Sequence, residues 1–222
     1  MKNIRLNFVI NKLRESYGRH TFAAHHNTVD ELILTILSQN TSDNNSKPAY
    51  EALIRQYKNR EDIISADNNK IELLIRRGGL AHIKAQRIKE VLKIIKAEVG
   101  SLNLDFLNET TVEEGRKWLT SLPGVGIKTA SCVLLFALGK PALPVDTHVF
   151  RVSARLGLID KKTKISTAHT VLENIIPSSD IYEFHLLIIE HGRKICSARK
   201  PLCKSCIISS DCTYYKEFIS KV

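Results

Sequence analysis

Leu122-Pro123-Gly124-Val125-Gly126-Ile127-Lys128-Thr129-Ala130 joins two segments of helical periodicity through a turn that cannot itself be helical. Pro123 cannot continue the preceding helix, and the two glycines admit backbone angles closed to other residues. Lacking side chains, they also let backbone amides approach another backbone closely. A new helix starts at once, so its unpaired N–H groups and positive dipole end point outward. A helix–GxG–helix unit built from Leu122, Gly124, Val125, Gly126 and Thr129 grips a phosphate without reading base sequence. The plainer reading is a tight turn between two helices. What favours the phosphate is the lysine that opens the next helix, in a chain of net charge +10.

That charge comes from 33 Lys and Arg against 23 Asp and Glu in 222 residues, and it favours polyanionic partners through counterion release. A generically basic protein would look the same, so charge suggests nucleic acid without establishing it. Period-two alternation is nearly absent, while helical spacing recurs along the chain. Ile4 to Tyr17 reads as an amphipathic helix rather than a signal peptide. Further helices are expected at 31–38, 47–57 with Ser46 as N-cap, 83–99, 112–121, 127–138, 147–156, 167–176 and 181–194. In 83–99, Ile83, Ile88, Val91, Leu92 and Ile95 are expected on or near one face. The fold class is therefore all-α. Apolar runs such as 32–37 and 132–138 are far too short to cross a bilayer, so a cytoplasmic protein is expected, nucleoid-associated if prokaryotic.

Of five cysteines, Cys132 lies in an apolar stretch and reads as core. Cys196, Cys203, Cys206 and Cys212 fall within 17 residues, spaced Cys-x6-Cys-x2-Cys-x5-Cys. In a reducing compartment such a group is metal-binding rather than disulfide-bonded. Zinc sites more often pair two close knuckles, whereas an iron–sulfur cubane accepts four thiolates from one looping segment.

The strings LPGVGIKTA (122–130), VDTHVFRV (145–152), HGRKICSARKPLCKSC (191–206) and LSQNTSD (37–43) together resemble the helix-hairpin-helix DNA glycosylases, and among them the endonuclease III group. The resemblance runs from about residue 28 to 215, with the motifs in the family's order. It implies two helical domains flanking a DNA-binding cleft. A six-helix barrel with the hairpin would span 27–138, and a second domain would combine 1–26 with 139–222. It implies a [4Fe–4S] cluster on the four cysteines, pinning a basic loop with Arg199 and Lys200 against phosphates. It also implies an apolar wedge at Leu80 and a gap-filling side chain at Asn40, where the group usually has glutamine. Gln39-Asn40 replaces an Ala-Gln pair, and Ala81 replaces a common aromatic. The implied partner is double-stranded DNA with damaged bases or abasic sites, bound by a monomer.

Cleaving an N-glycosidic bond leaves positive charge on the sugar, which a nucleophile can trap and a carboxylate can stabilise. Lys128 and Asp146 match the family's catalytic lysine and aspartate. The implied activity is bifunctional: removal of an oxidised pyrimidine, then β-elimination through a Lys128 Schiff base. Each residue has a plain reading as well. A first-turn lysine is ordinarily solvated surface, Asp146 is a natural N-cap for 147–156, and Leu80 is a candidate buried helix-start leucine. Two rivals stand beside this reading. One is a monofunctional glycosylase using water, whose members usually lack this lysine. The other is a non-catalytic DNA-binding module.

Overall fold

The computed structural model describes residues 2–24 and 26–219. It contains α-helices and short 3₁₀ or π turns, with no strand among the described residues. The helices are α1 (Lys2–Tyr17), α2 (Thr28–Ser38), α3 (Asp43–Gln56), α4 (Glu61–Ser65), α5 (Asn68–Ile75), α6 (Ala81–Val99), α7 (Val112–Ser121), α8 (Ile127–Leu138), α9 (Thr147–Leu156), α10 (Ile165–Glu173) and α11 (Ile181–Lys194). No helix among the described residues is long and apolar enough to cross a membrane.

Two compact units emerge. Residues 24–138 form one, and 1–23 with 139–222 form the other. In the 24–138 unit, α2 packs against α8, α3 and α6, and α7 packs against α8. The core is aliphatic: Leu32, Ile33, Ile36 and Leu37 of α2 meet a shared interior with Leu53, Ile88, Leu92, Leu119 and Leu134, all at most 1% exposed. Local signals set the helix ends. The Asn27 side chain accepts from the Asp30 N–H at 2.9 Å, and Thr111 with Glu114 closes a capping box on α7. In the other unit, α11 packs against α9 and α1. Here Arg14 donates to both Glu183 carboxylate oxygens, and their mutual attraction holds that carboxyl below its usual range.

Several sequence expectations shift. The third helix begins at Asp43, not 47, and Ser46 lies buried within it instead of capping it. Pro48 removes one N–H in the second turn, and the helix absorbs the loss by starting a turn earlier, with Ser42 in extended conformation before it. Ile83 is 49% exposed, although Ile88, Val91, Leu92 and Ile95 are buried. At ~100° per residue it stands roughly 140° around α6 from Ile88, off the apolar face. The second helix gains a turn at its start, to Thr28, and α10 runs over 165–173. The short α4 and α5 were not anticipated; α5 shows why, since Leu73 is 70% exposed and blurs the helical pattern.

Because α2 and α8 share the tightest part of this interior, truncating either core face is expensive. Leu37→Ala or Leu134→Ala is expected to cost about 2–5 kcal/mol, read as a lower midpoint of chemical denaturation.

Candidate active site and cysteine loop

The hairpin turns at Gly124, whose φ is +70°, with the Val125 N–H bonded to the Leu122 carbonyl at 3.1 Å. Leu122 and Val125 are 2% and 5% exposed, so both are buried and anchor the turn. The Ala130 N–H bonds the Gly126 carbonyl at 2.9 Å, which makes Gly126 the N-cap residue of α8. Helical geometry leaves the N–H groups of Ile127, Lys128 and Thr129 without intrahelical acceptors. Lys128 is exposed in that first turn. The positive φ at Gly124 favours glycine, and a Cβ there would also displace the Arg87 guanidinium, which lies directly against the turn.

Gln39 explains one departure noted in the sequence. Its Nε2 donates to the Gly124 carbonyl at 3.1 Å and to Thr129 Oγ1 at 3.2 Å, while its Oε1 accepts from Arg87 Nη1 at 2.8 Å. Gln39 is thus an internal strut under the hairpin, and Thr129 is buried beneath it. Asn40 is exposed with φ 55°, and Leu80 is 54% exposed with φ 51°. They are the non-glycine residues with positive φ among those described. Leu80 is therefore not a buried helix-start leucine.

Sequence reasoning missed Glu31. It is 8% exposed, and burial pushes its carboxyl up to about 7, with the Thr35 hydroxyl and the Lys128 charge pulling back. Its identity at the start of an apolar helix looks like an ordinary first-turn acid, so no local signal marks it.

In the other unit, Asp146 caps α9, its Oδ1 accepting from the Val149 N–H at 2.7 Å. Oδ2 takes no part in that cap. Cys196, Cys203, Cys206 and Cys212 all line one pocket open to solvent, together with apolar residues including Val152, Leu156 and Ile208 and with Arg155 and His191. Among the described residues no three His, Cys, Asp or Glu side chains close on a point that would hold a single metal ion. The thiols surround a space instead. Burial pushes Cys206 up to about 11 and raises Cys203, and their mutual charges add to it. Thiols raised in this way favour ionisation only beside a cationic metal core, which is the chemistry a polynuclear cluster would supply.

The loop is clamped from α9, which the sequence did not reveal. Arg151 Nε donates to the Cys196 carbonyl at 3.0 Å. Arg155 donates to the Ser197 and Ala198 carbonyls at 2.7 and 2.9 Å, and to Cys196 Sγ at 3.3 Å. His191 is 1% exposed, and burial lowers its imidazole to about 4. Its Nδ1 lies 3.0 Å from the Tyr17 hydroxyl and its Nε2 3.6 Å from Cys206 Sγ. Arg199 and Lys200 are exposed on the same loop.

Residues 33–177 match the model of the HhH-GPD superfamily of base excision DNA repair proteins. The chain belongs to this superfamily. It is 34% identical to an endonuclease III of Sulfolobus acidocaldarius over 94% of this chain and 95% of that one. A putative DNA glycosylase of Arabidopsis thaliana is 39% identical over 76% of the chain, which spans 57% of that longer protein. Among solved structures, a trapped covalent intermediate of endonuclease III with DNA superposes with TM-score 0.82 at 29% identity, covering 97% of each chain.

The Glu31 carboxyl gives a test of the interior beneath Lys128. With its ordinary value of 4.5 raised to about 7, the native state binds more protons than the unfolded state between those values. That contribution is complete below about pH 4.5 and is lost as pH rises through about 7. Glu31→Gln is expected to remove this fall, on the order of 2–3 kcal/mol, in denaturation midpoints followed from pH 4.5 to 8.

Proposed function

We propose that this chain is a bifunctional DNA glycosylase and AP lyase of base excision repair, acting on oxidised pyrimidines and abasic sites in duplex DNA. Membership of the superfamily and a trapped covalent endonuclease III–DNA intermediate among its structural relatives support that reading. The observation that carries it is Lys128, exposed in the first turn of α8 directly after a glycine-turned hairpin.

In the proposed reaction the neutral Lys128 amine attacks the anomeric carbon, and the base departs with the electrons of the glycosidic bond. The Asp146 carboxylate stabilises positive charge developing on the sugar. Loss of a proton from nitrogen and ring opening give the Schiff base. Removal of a proton from the adjacent sugar carbon then expels the 3′ phosphate by β-elimination. Helical geometry aims free N–H groups beside Lys128, where a backbone phosphate is held close to the nucleophile. Leu80 serves as the wedge that enters the stack and Asn40 fills the vacated space, since a base in a duplex must be extruded before it can react. Asp146 capping α9 is compatible with its role, because a carboxylate that accepts a backbone N–H stays fixed in direction.

Lys128→Gln is expected to lower strand cutting on the order of 10³-fold or more while leaving affinity for an abasic-site duplex within a few-fold. Asp146→Asn keeps a capping side chain but removes the charge. It is expected to slow base release with little change in thermal stability. Unchanged cutting by Lys128→Gln would favour a monofunctional or purely DNA-binding protein.

Cys196, Cys203, Cys206 and Cys212 hold a [4Fe–4S] cluster in this reading, with Arg199 and Lys200 presented to phosphates by the loop. When bound, the group cross-links the loop; glycosidic cleavage itself requires no electron transfer. Anaerobically purified protein is expected to be brown, with about four iron and four sulfide per chain and loss of colour on Cys206→Ser. A colourless preparation containing zinc would contradict it.

A further inference from the structure

Lys84 is a lysine withdrawn from solvent, at 2% exposure. Its Nζ donates to the Leu37 carbonyl at 2.7 Å and to the Gly78 carbonyl at 2.8 Å. Burial, with the Arg87 charge second, lowers its tendency to stay protonated. A buried ammonium is costly, and apolar residues of similar volume often serve packing as well or better. What Lys84 does that an apolar residue cannot is join two carbonyls from different segments.

Those segments lead to the two tips with positive φ. Gly78 closes the 3₁₀ turn Arg76–Gly78, two residues before Leu80, and Leu37 lies three residues before Asn40. Leu80 is a large apolar side chain in left-handed conformation at the start of α6, and Asn40 is a polar one in the same conformation beyond the end of α2. Asparagine tolerates this conformation, but for leucine it is unfavourable, so the surroundings must impose it on Leu80. One helical turn after Lys84, Arg87 holds Gln39, whose other end bonds the hairpin at Gly124 and Thr129. Two side chains on one stretch of α6 thereby tie together three exposed segments of this unit: the Leu80 loop, the Asn40 loop and the hairpin.

We propose that Lys84 and Arg87 are positioning residues for base extrusion, bracing Leu80, Asn40 and the hairpin as one preassembled unit. This rests on the reading that the chain extrudes a damaged nucleotide, and it assigns no contact with substrate to either residue. The brace removes the need to order three loops at the moment of DNA binding. It matters for a paired nucleotide, which must be pushed out, and far less for one already unstacked.

The test is single-turnover strand cutting by the full-length, cluster-containing protein on two substrates: a duplex with a paired damaged pyrimidine, and a single-stranded oligonucleotide with one abasic site. Lys84→Met is expected to lose roughly 10- to 100-fold on the duplex and no more than about 3-fold on the single strand. Arg87→Gln, which changes a half-buried side chain rather than a buried one, is expected to show the same direction at smaller size. In the Lys84→Met background, Leu80→Ala is expected to cost less on the duplex than it does in the wild type, since the wedge is already misplaced. Equal losses on both substrates, or undiminished cutting of the duplex by both variants, would overturn the brace. So would fully additive losses in the double variant. Wild-type protein that cuts neither substrate would remove the function on which the brace rests, and the brace with it.

Discussion

The Arg87 guanidinium occupies the space where a side chain on residue 124 would be, and the hairpin, α2 and α6 are joined at that point. Glycine there does two things at once: it permits the +70° φ that turns the hairpin, and it lets a helix α6 side chain lie directly against the turn. From that seat Arg87 reaches Gln39, and Gln39 returns to the Gly124 carbonyl. The hairpin is therefore not a loop attached to the start of α8. It is one side of a hydrogen-bonded frame whose other sides are α2 and α6, and Lys128 projects from the corner.

The second unit solves a different problem. Residues 195–214 contain only short 3₁₀ turns and little buried apolar surface, so they cannot order themselves by packing. Arg151 and Arg155, one turn apart on α9, supply donors to carbonyls at 192, 196, 197 and 198. The helix that presents them is the one Asp146 caps. One carboxylate thus fixes the start of a helix whose later turns hold the cysteine loop, which links the geometry of Asp146 to the integrity of that loop. Burial raises the Cys203 and Cys206 thiols, and the proposed cluster would offset that cost while tying the loop together.

Local chemistry made much of this legible in the sequence. The Pro-Gly-x-Gly punctuation, the Asp146 cap, the cysteine spacing and the helical periodicity of α6, α8, α9 and α11 all act over a few residues, and each stands where expected. Membership of the superfamily agrees with the motif strings. What was not legible depends on long-range contacts. In the sequence Gln39 is only a departure from the family's Ala-Gln pair, but its amide bonds the hairpin 85 residues away. Lys84 looks like any helical lysine until two carbonyls, from positions 37 and 78, are seen to close on it. Ser46 has the right residue type for a cap, yet the helix began earlier because a proline in its second turn was affordable. Glu31 is unremarkable until burial raises it.

The frame around Gly124, the exposed first-turn amine and the family assignment converge on one covalent event. The measurement that tests it most directly is borohydride reduction of the protein mixed with abasic-site duplex, followed by mapping of the modified peptide by mass spectrometry. The account predicts a stable protein–DNA adduct whose sugar remnant is on Lys128. An enzyme that releases bases yet forms no adduct, or one whose adduct lies on another amine, would contradict it.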